Sequence, residues 1–107
     1  MFARKVSMQL KPGSAAEFKQ KIEREVIPLL RKQKGFLDEI TFLYPNQKEV
    51  HAFSLWDTAE NAEAYNRVTY PEVTKVLASV AQGTPRVQTY EVLNSTFHKH
   101  SPLAAGA

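Results

Sequence analysis

The chain contains no cysteine, which excludes disulfides, thiolate nucleophiles and cysteine-based zinc sites together and leaves the redox compartment open. Glycine and histidine are scarce, at 4 and 3 residues, and no phosphate-cradling glycine loop, nucleophile elbow or metalloprotease helix motif is built from them. No apolar run approaches the length that spans a bilayer. The opening Met1-Phe2-Ala3-Arg4-Lys5 lacks the apolar stretch and small-residue cleavage site of a signal peptide, so a cytoplasmic protein with no membrane partner is expected. Neither sign of charge dominates: 14 Lys and Arg against 11 Asp and Glu give +3, interspersed along the chain, and nucleic acid is not an expected partner. The one basic cluster, Arg31, Lys32 and Lys34, closes a predicted helix, where cations meet the negative end of the macrodipole.

What remains is an ordinary globular composition, 43% hydrophobic and 23% charged over 107 residues, enough for one core and one domain. That domain is expected over residues 1–98. Residues 99–107, ending in the small-residue run from Ser101 to Ala107, are expected to be a disordered tail.

Period-two alternation over residues 2–10 predicts a strand, with Phe2, Val6, Met8 and Leu10 on one face and Ala3, Lys5, Ser7 and Gln9 on the other. Ser14-Ala15-Ala16-Glu17 is a capping-box pattern that predicts a helix from about Ala15, with Ala15, Phe18, Ile22, Val26, Leu29 and Leu30 as its apolar stripe. Pro28 lies inside that pattern and predicts a kink near residues 24–27, and Gly35 suits the left-handed position after the helix end. Residues 36–44 and 49–56 read as strands joined by the short turn Pro45 to Lys48, an antiparallel hairpin.

Asp57 or Thr58 caps a second helix carrying Ala62, Tyr65 and Val68 on one side. After Tyr70-Pro71 a helix should resume over residues 71–81 with Val73, Val76, Leu77 and Val80 inward, to be ended by Gly83-Thr84-Pro85. Residues 86–97 read as the last strand. The order is β-α-β-β-α-β, an α+β ferredoxin-like fold with an antiparallel sheet.

The hairpin carries large apolar groups on both faces. Its second strand sets His51, Phe53 and Leu55 opposite Val50, Ala52, Ser54 and Trp56, and its first sets Leu37 and Leu43 opposite Phe36, Ile40 and Phe42. Two helices cover one face only, so the other is expected to meet a second copy of the sheet in a homodimer.

Pro28-Leu29-Leu30 followed by Lys34-Gly35-Phe36-Leu37, and Ser54-Leu55-Trp56-Asp57-Thr58 before an alanine-rich helix with Tyr65, resemble the antibiotic-biosynthesis-monooxygenase domain over residues 2–97. The resemblance implies a dimeric α+β barrel, and for some members oxidation of quinol- or anthrone-type aromatics by O2 with no metal or flavin. Trp56 matches the tryptophan that lines the substrate cavity of the polyketide-type enzymes, and Tyr65 lies near a pocket tyrosine. The asparagine expected four residues before that tryptophan is replaced by Ala52, which has no polar group with which to orient a hydroxyl. Haem-degrading relatives imply a second tryptophan and a histidine ligand near Ala64 and Lys75, and no histidine lies between His51 and His98.

The candidate contacts to a small aromatic ligand are therefore Trp56, Tyr65, Tyr70 and His51, with O2 as co-substrate, no other cofactor and no metal. Each also has a plain packing role open to it: Trp56 as a core wall, His51 as a hydrogen-bonded strand residue, the tyrosines as rim hydroxyls. His98 and His100 sit beside the expected tail without further ligands nearby. Asp38 and Glu39, adjacent in a strand, point to opposite faces and do not form a dyad. Two functions stay open, a cofactor-independent monooxygenase and a non-catalytic dimeric ligand-binding or stress-associated module.

Overall fold

A computed structural model describes residues 1–96; the expected domain end at 98, the tail 99–107, and His98 and His100 lie outside the described residues. The elements run β1 (Phe2–Leu10), α1 (Ala15–Lys21), a π-helical turn (Ile22–Val26), α2 (Ile27–Arg31), β2 (Phe36–Leu43), β3 (Glu49–Trp56), α3 (Ala59–Val68), α4 (Tyr70–Leu77) and β4 (Ala81–Glu91). The strands form one antiparallel sheet in the order β2-β3-β1-β4, with the helices packed on one face: the expected α+β ferredoxin-like fold.

The helix stripes form the core because their apolar residues recur at helical spacing. Phe18, Ile22, Val26, Leu30, Ala62, Tyr65, Val73, Leu77 and Val80 pack onto Met8, Leu10, Val50 and Trp56 of the sheet. Α turn of π-helix ahead of Pro28 takes up the disturbance expected there, so the backbone widens by one residue and Ile22 and Val26 both stay buried. Helix α1 begins at Ala15 as expected, but the Ser14 hydroxyl makes no capping hydrogen bond; the cap residue contributes only its carbonyl, to Phe18 N–H at 2.8 Å. In α3 Thr58 is the true cap, accepting from Asn61 N–H at 3.1 Å. Val68, expected inward, is 74% exposed, and Thr69 takes the buried place one residue on, because Ala62, Tyr65 and Thr69 complete two helical turns.

Gly35, at φ +83°, turns the chain from α2 into β2, and its carbonyl accepts from Asp57 N–H at 2.9 Å. A Cβ there would overlap Asp57 and Asn61, so both the backbone conformation and the close approach demand glycine.

The last strand differs from the sequence expectation. It begins at Ala81 and ends at Glu91, so α4 stops at Leu77 and Gly83-Thr84-Pro85 lies inside β4. Those residues read as a breaker because proline cannot donate to a ladder. Here β4 is a sheet edge, and the pairing slips between Ser7 and Gln9 of β1, with Gly83 at φ +79°, so the irregularity absorbs the proline. A second irregularity, at Leu37 in β2, shifts the pairing between Phe36 and Asp38. It reverses the expected parity: Phe36 joins Trp56 on the helix face, while Ile40 and Phe42 fall on the other.

Candidate functional site

Across β1, β3 and β2, the charged side chains on the helix face of the sheet are confined to one row. Arg4 of β1 pairs with Ser54 of β3, which pairs with Glu39 of β2, so the three side chains cross the sheet in register beneath α3 and α4. At about 4.8 Å per strand, the ends of the row lie roughly 10 Å apart. Rows on either side are built from Phe2, Trp56 and Phe36, and from Val6, Ala52 and Thr41.

Each polar member is anchored. The Ser54 hydroxyl accepts from Trp56 Nε1 at 2.9 Å, and the Thr41 hydroxyl donates to the Glu39 carboxylate. Arg4 is only 3% exposed; its Nη2 donates to Asn66 Oδ1 at 2.6 Å, and its guanidinium lies 4.1 Å from the Tyr70 ring centroid and 5.2 Å from that of Tyr65. Trp56 packs behind Tyr65 at 5.0 Å between ring centroids, and Tyr65 meets Tyr70 at 6.2 Å. Indole, phenols and guanidinium thus form one continuous stack from core to cavity.

Above the row lies a cavity of about 50 Å³, bounded by Arg4, Glu39, Ser54, Tyr65, Tyr70 and Thr74 among apolar neighbours from α1, the π turn and α4. That is space for a few water molecules rather than a fused-ring ligand. The cavity shares Phe18, Ile22, Glu39 and Val50 with an outer groove of about 580 Å³ between α1 and β2, a volume within the range of small-ligand pockets.

Burial sets the electrostatics. It raises the Glu39 carboxyl above its usual range, an effect the Thr41 hydrogen bond opposes. It pushes the Tyr65 phenol up to about 12, against the pull of Arg4, and raises Tyr70 as well. Burial also lowers Arg4, whose guanidinium nonetheless remains a cation. A raised Tyr65 leaves stability intact below pH 10, where folded and unfolded chains are both protonated, and erodes it as pH climbs toward 12, by at most about 2–3 kcal/mol. Urea midpoints measured from pH 9 to 12 check this: Tyr65→Phe is expected to flatten the fall, leaving the part that Tyr70 contributes, and an unchanged slope would remove Tyr65 as its source.

Of the residues singled out from sequence, the structure brings Tyr65 and Tyr70 together at the cavity. Trp56 is 0% exposed and stands one layer behind, holding Tyr65 and Ser54. His51 is on the opposite face, stacked on Tyr44 at 4.9 Å with its Nε2 2.8 Å from Glu49 Oε2. Sequence reasoning missed Arg4, Glu39, Ser54 and Asn66. Arg4 had a signal, a cation at the even position between Phe2 and Val6 on an otherwise apolar face; Glu39 had none, since the irregularity at Leu37 decides its side.

No family model matches the chain, and no curated protein matches it in sequence. Solved structures match its fold throughout. A protein of unknown function from Nitrosomonas europaea, NE2512, is 16% identical with a TM-score of 0.75 over 91% of this chain and 93% of its own. SnoaB, a cofactor-independent oxygenase from Streptomyces nogalater, is 11% identical with a TM-score of 0.73 over 91% and 97%. A second Nitrosomonas europaea protein, provisionally named an antibiotic biosynthesis monooxygenase, is 14% identical with a TM-score of 0.72 over 88% and 100%. The chain therefore has the fold of the antibiotic-biosynthesis-monooxygenase type, the fold its sequence resembles.

Proposed function

We propose that the chain is a cofactor-independent oxygenase of a small hydroxy-aromatic compound, working as a homodimer. The observation that carries this reading is the cavity above the Arg4-Ser54-Glu39 row, where an acid with a raised pKa, a buried cation and two phenols converge in an otherwise apolar interior. The fold shared with SnoaB supports the same class of chemistry.

In the proposed reaction Glu39 accepts the proton of a ring hydroxyl, leaving an electron-rich anion that reduces O2 directly. One ring carbon exchanges its hydrogen for a carbonyl oxygen, the other oxygen atom leaves as water, and the substrate supplies all the electrons. The inner cavity takes the reacting edge and the outer groove the rest of the ring, which favours one- or two-ring substrates over tricyclic ones. Tyr65 and Tyr70 contact the ligand, and Trp56 holds Tyr65 in place.

The second copy covers the face away from the helices. There Ile40, 36% exposed, and Phe42, 51% exposed, adjoin Phe53 and Leu55, an apolar surface that water disfavours and a matching sheet would bury. His51 lies on this face and belongs to the proposed interface, not the cavity. Sedimentation equilibrium at micromolar chain tests the dimer.

Oxygen-electrode assays with simple quinols, naphthols and anthrone, corrected for spontaneous oxidation, test the activity. One O2 consumed per substrate supports the reading; binding without oxygen uptake would instead identify a non-catalytic ligand-binding module. Ala52 favours that second reading, because it sets a methyl group beside Ser54 where a polar side chain could have oriented a ring hydroxyl.

A further inference from the structure

Arg4 poses a charge problem that the protein itself does not solve. Its guanidinium is buried, yet among the described residues no aspartate or glutamate forms an ion pair with it. Its partners are the neutral amide oxygen of Asn66, the hydroxyl of Tyr70 and the faces of two phenols; the charge of Glu63, an exposed residue of α3, acts on it only weakly. Removing a cation from water without a counter-charge is costly, and neutral partners recover only part of that cost. The guanidinium belongs to the wall of the cavity, so an oxygen anion placed there meets a charge that no carboxylate of the protein compensates.

Glu39 stands two strands away in the same row, with roughly 10 Å between the backbones, and no ion pair joins it to Arg4. Acid and cation are held apart with a cavity between them, an arrangement that separates a proton from the oxygen that loses it. A merely structural arginine would be served as well by a carboxylate at Asn66.

We infer that Arg4 is the anion-binding residue of this site and that the ligand is held there as its oxyanion, with the ionised oxygen at the reacting edge of a hydroxy-aromatic ring entering the cavity beside Tyr65 and Tyr70. The bond that breaks is the ligand O–H; its proton goes to a Glu39 carboxylate oxygen, directly or through a cavity water, and the electron pair stays on the ligand oxygen facing Arg4. The inference rests on the cavity being the working site and on the proton transfer proposed there, and it adds the residue that holds the resulting anion.

The test uses 4-nitrophenol, whose phenolate absorbs in the visible while its neutral form does not, with nitrobenzene as the uncharged analogue, on the full-length protein at a pH where the free phenol is mostly protonated. Binding to the wild type is expected to turn on the phenolate band. Arg4→Met, which keeps an apolar stem without charge, should weaken phenolate binding about 10- to 100-fold while leaving nitrobenzene binding near its original value. Arg4→Lys, which keeps the charge without the fork, should fall between. Nitrobenzene bound by wild type with 4-nitrophenol taken up in its neutral form would overturn the oxyanion site and leave the cavity reading intact. If neither probe binds, both fall. Because the wild-type spectrum alone decides the ionisation state, the inference stays open to refutation even if a variant fails to fold.

Discussion

Glu39→Gln is expected to give a protein that turns over about 10²- to 10⁴-fold more slowly, the range lost with a general base, and that is more stable than the wild type at neutral pH. The two effects have one cause. Burial raises the Glu39 pKa in the folded chain above its unfolded value, so the stability associated with this group is fully present below the unfolded pKa and is lost as pH rises through the folded one. At neutral pH the folded protein bears the cost of an ionised, half-buried carboxylate. Glutamine removes that cost and keeps an oxygen for the Thr41 hydroxyl to donate to. At pH 4, where the carboxyl is largely protonated folded or unfolded, the advantage should shrink toward zero. Urea midpoints of both proteins at pH 4 and pH 7, beside oxygen uptake at pH 7, read out both effects. A gain equal at the two pH values would mean that ionisation is not its source, and unchanged turnover would remove Glu39 as the base.

Such a trade of stability for a poised acid is what local rules fail to anticipate. The elements with plain local signals were legible: the alternation of β1 gave its limits at Phe2–Leu10, the turn from Pro45 to Lys48 and the cap after Trp56 bounded β3 at Glu49–Trp56, and the spacing of Phe18, Ile22, Val26 and Leu30 gave the buried stripe. Where one residue breaks the period, as at Leu37, the side on which every later residue of the strand falls is set by pairing with β3, information that β2 does not carry alone. Glu39 faces the cavity for that reason. Likewise Gly83 and Pro85 spell a turn locally and become strand only because β4 occupies an edge where an irregular pairing is tolerated.

The site was half legible on the same grounds. Tyr65 and Tyr70 flank the junction of α3 and α4, and their spacing was visible as an interrupted helix. Arg4 contradicts the rule that a strand's apolar face excludes charge, and buried polar exceptions of that kind concentrate where function is placed. His51 was chosen by residue type although its parity already set it opposite Trp56, and Trp56, chosen by the resemblance, is fully buried in the core.

Trp56→Ala is expected to have the largest effect on folding, a loss of about 3–5 kcal/mol. The side chain is fully buried, meets the Phe36 ring at 5.6 Å and 72° and the Tyr65 ring at 5.0 Å and 33°, and donates its Nε1–H to Ser54. Truncation empties the space between α3 and the β2-β3 pair and removes the donor that fixes Ser54. Against the about 5–15 kcal/mol that stabilises a typical domain, this is a fifth of the total or more. Trp56→Phe keeps a ring between Phe36 and Tyr65 and loses chiefly the indole hydrogen bond, so it should cost only about 1–2 kcal/mol. Urea denaturation followed by far-ultraviolet circular dichroism at one fixed chain concentration separates the two, since association would also shift the midpoint. A loss under 1 kcal/mol for Trp56→Ala would show that Tyr65 and Ser54 are held by other contacts. If instead the expected loss occurs while Trp56→Phe still binds aromatic ligands with wild-type affinity, the indole serves the site only by holding Tyr65, one layer removed from the ligand.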